Sequence, residues 1–177
     1  MSAYFGLWQV WREKPTGPNP GIAGPAGQAG IRPWPGDRDA KRICDRLVSA
    51  LEGTGLTVFS EAGFLLAPNV VRQPDVAVVE DARLKDAEAD DYPAGAPRLA
   101  VEVASPANTA EELDLKIDQY LRGGGQAVWV AYPKRKAIVR FALVAGRIHA
   151  AEHRAGEAFS GDILRPSSEF DPAEFFS

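Results

Sequence analysis

RQPDVAVVE at residues 72–80, RLAVEVASP at 98–106 and TAEELDLKIDQYL at 109–121 follow one another through the middle of the chain. The first two are valine-rich and of strand length, and the third repeats its apolar residues at helical spacing. Residues 73–80 are nearly continuously apolar after Asp75, as expected of a strand covered on both faces, and 98–104 read as a buried strand broken by Glu102. Asp75 stands at the mouth of the first run and Glu102 inside the second. A carboxylate in such a place is costly unless something compensates it, so these two residues are the first candidates for function.

Working outward, Thr109 with Glu112 three residues later forms a capping box for the helix. Leu113, Ile117, Tyr120 and Leu121 make its apolar face, with Lys116 at the edge of that face, and Gly123, Gly124 and Gly125 stop it. Residues 127–132 and 137–143 read as a hairpin-like pair around Pro133, Lys134, Arg135 and Lys136. Residues 147–151 suggest a further strand, and the phenylalanines of the 166–176 tail are expected at the rim. Upstream, Asp37 or Asp39 caps a helix whose apolar positions are Ile43, Cys44, Leu47, Val48 and Leu51, ended by Gly53 or Gly55. Segments 56–60 and 64–67 read as an antiparallel pair turning near Gly63. The acidic stretch 81–92 reads as a solvated loop, since it lacks the spacing of an EF-hand. The order of elements predicts an α/β or α+β fold, a mixed sheet flanked by helices.

Residues 15–36 differ from the rest, because proline and glycine fill more than half of the positions there and forbid helix or central strand. Residues 1–36 are therefore expected to form a disordered or loosely packed arm that Trp8, Trp11 and Trp34 can anchor, and 37–177 the folded domain. With 177 residues, 45% hydrophobic, the chain can bury one sizeable core. No apolar run has membrane-spanning length and no signal-peptide pattern opens the chain, so a cytoplasmic protein without membrane contact is expected. Cys44 is the single cysteine and reads as a small buried hydrophobe, and His149 and His153 are too few for a zinc site. A net charge of −4 leaves any contact with phosphates to a local basic face.

If the strands bearing Asp75 and Glu102 are neighbours, their like charges repel, and a divalent ion such as Mg²⁺ with oxygen ligands resolves the repulsion. Metal-bound water would then be a nucleophile for a phosphodiester, with Lys116 orienting it or offsetting charge on the phosphate. The residues by themselves slightly favour a plain structural account: Asp75 caps a strand start after Pro74, Glu102 pairs with Arg98 or Lys116, and Lys116 is a helix-surface lysine. The basic set Lys134, Arg135, Lys136 and Arg140, with Arg72 and Arg122, is the candidate phosphate-contacting face, or else a solvated hairpin tip.

The ordered combination of RQPDVAVVE, LAVEVASPAN, a helix carrying Lys116 and Tyr120, and AVWVAYP resembles the Uma-two family of endonucleases, within the restriction-endonuclease-like PD-(D/E)XK superfamily. The resemblance covers roughly residues 37–176. It implies a restriction-endonuclease-like core and a Mg²⁺- or Mn²⁺-dependent endonuclease acting on DNA. Asp75 and Glu102 would be metal ligands, with the carbonyl of Val103 as a third, Lys116 catalytic and Tyr120 beside it. The superfamily commonly places lysine two residues after the glutamate; that position is Ala104 here, and the resemblance supplies Lys116 from the following helix instead. Glu112 and Glu61 are possible accessory carboxylates. The E-x-x-x-G-x-L segment usual before the long helix is not found in residues 1–36. Cleavage of both strands of a duplex by single-strand sites implies a homodimer. The alternatives are an inactive nuclease fold serving as a DNA-binding or protein-interaction module, and an unrelated α/β domain.

Overall fold

The computed structural model describes residues 38–84 and 92–176. The expectations for the 1–36 arm and its tryptophans, for Asp37 as a cap and for most of the acidic loop lie outside these residues. In chain order the elements are α1 (Arg38–Leu51), β1 (Leu56–Ser60), β2 (Phe64–Ala67), β3 (Val70–Arg72), β4 (Val76–Glu80), α2 (Asp81–Leu84) and β5 (Leu99–Val103). There follow α3 (Ala110–Arg122), β6 (Ala127–Tyr132), β7 (Ala137–Val144), β8 (Arg147–Arg154), β9 (Phe159–Ser160) and β10 (Glu169–Phe170). Among these residues no helix is long and apolar enough to cross a membrane.

A six-stranded sheet runs in the order β1-β4-β5-β6-β7-β8. Only β5 and β6 are parallel, and α3 is the crossover between them; every other neighbouring pair is antiparallel. The fold is thus the mixed sheet with flanking helices expected. β5 is buried along its whole length, and β4 and β6 at all but their last residue, which accounts for their unbroken apolar runs. One face packs Val76, Val78, Leu99, Val101, Trp129, Ala131 and Ile138 against Ile43, Leu47 and Leu51 of α1. On the other face, Ala100, Val128 and Val130 meet Leu113, Ile117, Tyr120 and Leu121 of α3. Ala77 and Val79 on that face lie under Ala62 and Phe64.

The acidic stretch opens with the short helix α2 rather than a loop, Val48 on α1 is exposed, and three larger expectations need correction. β1 does not pair with β2: it runs antiparallel to β4, from Leu56 opposite Glu80 to Ser60 opposite Val76. At Glu61 the backbone takes a left-handed conformation (φ 51°) and turns the chain out of the sheet, so β2 pairs instead with β3. A strand assigned to residues 73–80 begins only at Val76, because Pro74 has no N–H for a ladder and the residues before it belong to the β2–β3 ribbon. Finally, the C-terminal phenylalanines are core rather than rim. Phe159 and Phe170 meet the Trp129 ring edge-on with centroids 5.1 and 5.5 Å away, and Phe175 lies 6.4 Å from it.

The start of α3 fixes everything that helix carries. Thr109 Oγ1 accepts from the Glu112 N–H at 3.2 Å, and the Thr109 N–H donates to Glu112 Oε2 at 2.9 Å. Removing the Thr109 cap with alanine is expected to lower stability by about 1 kcal/mol. A urea midpoint indistinguishable from wild type would show that packing alone sets the helix start.

Candidate functional site

The register brings the two strand carboxylates together. Val76 opposes Val101 in the antiparallel β4–β5 pair, so Asp75 and Glu102 are the next opposed positions beyond the ladder. Glu102 shares the side of β5 that carries Ala100, which faces α3. Here α3 presents Lys116 and Tyr120, one helical turn apart. Lys116 Nζ donates to Glu102 Oε2 at 2.6 Å and the Tyr120 hydroxyl to Glu102 Oε1 at 2.9 Å. Asp75 Oδ2 accepts the Val103 N–H at 2.6 Å, and the Asp75 carbonyl accepts the Glu61 N–H at 3.2 Å.

Glu102 is 3% exposed and is the one buried charged residue among those described. Burial pushes its carboxyl above the ordinary value of 4.5; Lys116 and the Tyr120 hydroxyl oppose this, and the Asp75 charge adds to it. Tyr120, fully buried, is held well above the ordinary phenol value by burial first and by the Glu102 charge second. It remains a hydroxyl donor. Folding therefore favours a proton on Glu102. The stability this contributes is fully present below the ordinary carboxylate value and is lost as pH rises through the raised one. Urea unfolding across the acidic range is expected to show that decline in wild type but not in Glu102→Gln; superimposable profiles would mean that Glu102 titrates like an exposed carboxylate.

The other candidates are placed as follows. Arg72 ends β3 and donates from Nε to Gln119 Oε1 at 2.5 Å, and its charge acts on Tyr120. Gln119 lies between Lys116 and Tyr120 on the helix; the sequence reading passed it over, and its position three residues after Lys116 was the available signal. The exposed turn of Lys134, Arg135 and Lys136 follows β6 at the sheet end where β5 also finishes, because those strands are parallel. Arg135 stacks over the Tyr132 ring at 4.3 Å and pairs with Glu152 at 3.5 Å. Two arginines are not brought to this end. Arg122 closes α3 at the far end of the sheet and pairs with Asp118 at 2.7 Å, while Arg140 opposes Trp129 on the α1 side and lies 5.1 Å from the Phe159 ring. Glu112 is engaged in the helix cap, and Glu61 is exposed with its backbone against Asp75 and Gln73.

Two carboxylates with mutual repulsion form the hard oxygen set that suits Mg²⁺, which commonly takes one or two protein carboxylates and completes its shell with water and substrate phosphate. Among the described residues no group of three His, Cys, Asp or Glu converges. Lys116, 2.6 Å from Glu102, supplies a cation to that carboxylate.

The fold is that of a known nuclease-like structure. A crystal structure titled as a putative nuclease from Anabaena variabilis superposes with a TM-score of 0.65 at 15% identity, covering 82% of this chain and 83% of that one. The sequence family described as "Putative restriction endonuclease", Uma2, matches residues 22–172, and the chain belongs to this Uma2 (Uma-two) family. No curated protein matches it.

Proposed function

We propose that this protein is a Mg²⁺- or Mn²⁺-dependent endonuclease that hydrolyses phosphodiester bonds in DNA. The observation that carries this reading is the meeting of Asp75, Glu102 and Lys116 at one end of the sheet, from the residue that leads into β4, from β5 and from the crossover helix. Asp75 and Glu102 would hold the ion, together with the Val103 carbonyl. Once bound, the ion would polarise the phosphate and lower the pKa of a coordinated water. Lys116 offsets negative charge developing on the phosphate, and Tyr120 fixes the Glu102 carboxylate in position. The Lys134–Lys136 turn would take neighbouring backbone phosphates. Because Glu102 binds an ion only when ionised, turnover should rise with pH through its raised pKa. Cleavage of both strands would take two copies related by a two-fold axis.

A second reading, the same fold without turnover and acting as a DNA-binding or protein-interaction module, draws on one observation. Both Glu102 oxygens already have partners, and no third metal-ligating side chain joins the pair among the described residues. Calorimetric titration with Mg²⁺ and Mn²⁺ beside a plasmid-nicking assay separates the two. Metal uptake with metal-dependent nicking supports the nuclease; no uptake in the presence of DNA supports the module.

A further inference from the structure

Arg72 and Gln119 define a feature of this site that the metal and lysine chemistry does not use. Lys116, Gln119 and Tyr120 stand at positions i, i+3 and i+4 of α3, and therefore on one side of the helix. Two of them bind Glu102; the third holds Arg72 through its Nε at 2.5 Å. Arg72 comes from the β2–β3 ribbon, three residues before Asp75, and its guanidinium reaches the side of α3 that carries Lys116 and Tyr120. Its charge is felt by the buried Tyr120 hydroxyl.

The partner's chemistry matters more than the bond itself. Among the described residues Arg72 has no ion pair, whereas Arg98, Arg122, Arg135 and Arg154 each have a carboxylate. A neutral amide orients the guanidinium without cancelling its charge. With Nε occupied, the two Nη nitrogens remain as a planar pair of donors matched to two oxygens of a phosphodiester.

We infer that Arg72, oriented by Gln119, binds a DNA phosphate beside the Asp75–Glu102 pair, with Gln119 as a positioning residue that keeps the arginine cationic. This rests on the nuclease reading for its choice of ligand, but its test does not require turnover. The competing account is a purely structural tie between the β2–β3 ribbon and α3. The two accounts disagree about Gln119→Glu. A carboxylate at this position keeps the size and strengthens the bond to Arg72, so a structural tie would be preserved or improved. A phosphate ligand would instead be neutralised.

The experiment is equilibrium binding of a fluorescein-labelled DNA duplex by wild type, Gln119→Glu, Arg72→Gln and Arg72→Lys, in Ca²⁺ over a series of salt concentrations, with thermal melting of each. Gln119→Glu is expected to melt at or above wild type, yet to bind DNA about 10-fold more weakly, with the slope of log K against log salt smaller in magnitude by about 0.9, the loss of one phosphate contact. Arg72→Gln should show the same slope change, while Arg72→Lys should keep most of the slope but lose affinity with the bidentate fork. Wild-type affinity and slope in both Gln119→Glu and Arg72→Gln would overturn the inference, as would a wild type that does not bind DNA. A wild type that binds DNA with these variant effects but never nicks it would sustain the inference and overturn the nuclease reading alone.

Discussion

On the nuclease reading, Glu102→Gln is expected to fold and to lose metal-dependent DNA nicking by about 10³-fold, since metal-assisted charge stabilisation supplies several kcal/mol and each 1.36 kcal/mol is tenfold. The substitution keeps the volume of a residue that is 3% exposed and leaves an oxygen able to accept from Tyr120 or Lys116. What it removes is the negative charge. Glu102→Ala should lose the same activity and also destabilise the protein, because the buried Tyr120 hydroxyl is left without its acceptor, at a cost of about 1–3 kcal/mol. Asp75→Asn tests the opposite strand and should match Glu102→Gln in both nicking and calorimetric metal uptake. If Glu102→Gln nicked plasmid within about threefold of wild type, a difference under 1 kcal/mol in barrier, the carboxylate pair would not be the catalytic metal site.

The second large effect is on stability. Trp129 lies in the centre of β6, fully buried, with Phe159, Phe170 and Phe175 around its ring. Replacing it by alanine removes the surface on which the C-terminal segment docks, and large aromatic-to-alanine changes in cores cost about 3–5 kcal/mol. That is a substantial share of the roughly 5–15 kcal/mol typical of a folded domain. Trp129→Phe is an informative companion, because the buried indole Nε1 has no hydrogen-bond partner among the described residues. Phenylalanine keeps a ring for the edge-on contacts and removes that unsatisfied donor, so its loss should be much smaller. Denaturant midpoints of the two variants decide the matter. A Trp129→Ala loss below about 1 kcal/mol would mean that the tail is not anchored through this ring.

Much of this architecture was legible because local chemistry and tertiary demand agree. The capping box of Thr109 and Glu112, the stop at Gly123, and the turn at 133–136 act over a few residues, and the structure has each of them. The strand carboxylates stood out for the same reason: a charge inside an apolar run is visible without any partner in view. Lys116 joined them as the cation at the edge of the helix's apolar face, the family resemblance added Tyr120, and these are the two side chains found on Glu102. Arg122 and Arg140 were grouped with the other basic residues by charge alone, a property that carries no information about which end or face of a sheet a residue occupies.

By itself the sequence determined the two long helices, the central strands and the two carboxylates out of place, because periodicity, caps and desolvation cost are properties of short stretches. Strand order, the pairing of β1 with β4, the docking of the tail on Trp129 and the capture of Arg72 by Gln119 were decided only in the tertiary structure. Each joins residues far apart in the chain, and an apolar strand or a polar side chain has many partners of equal local merit. Packing the whole core at once selects among them.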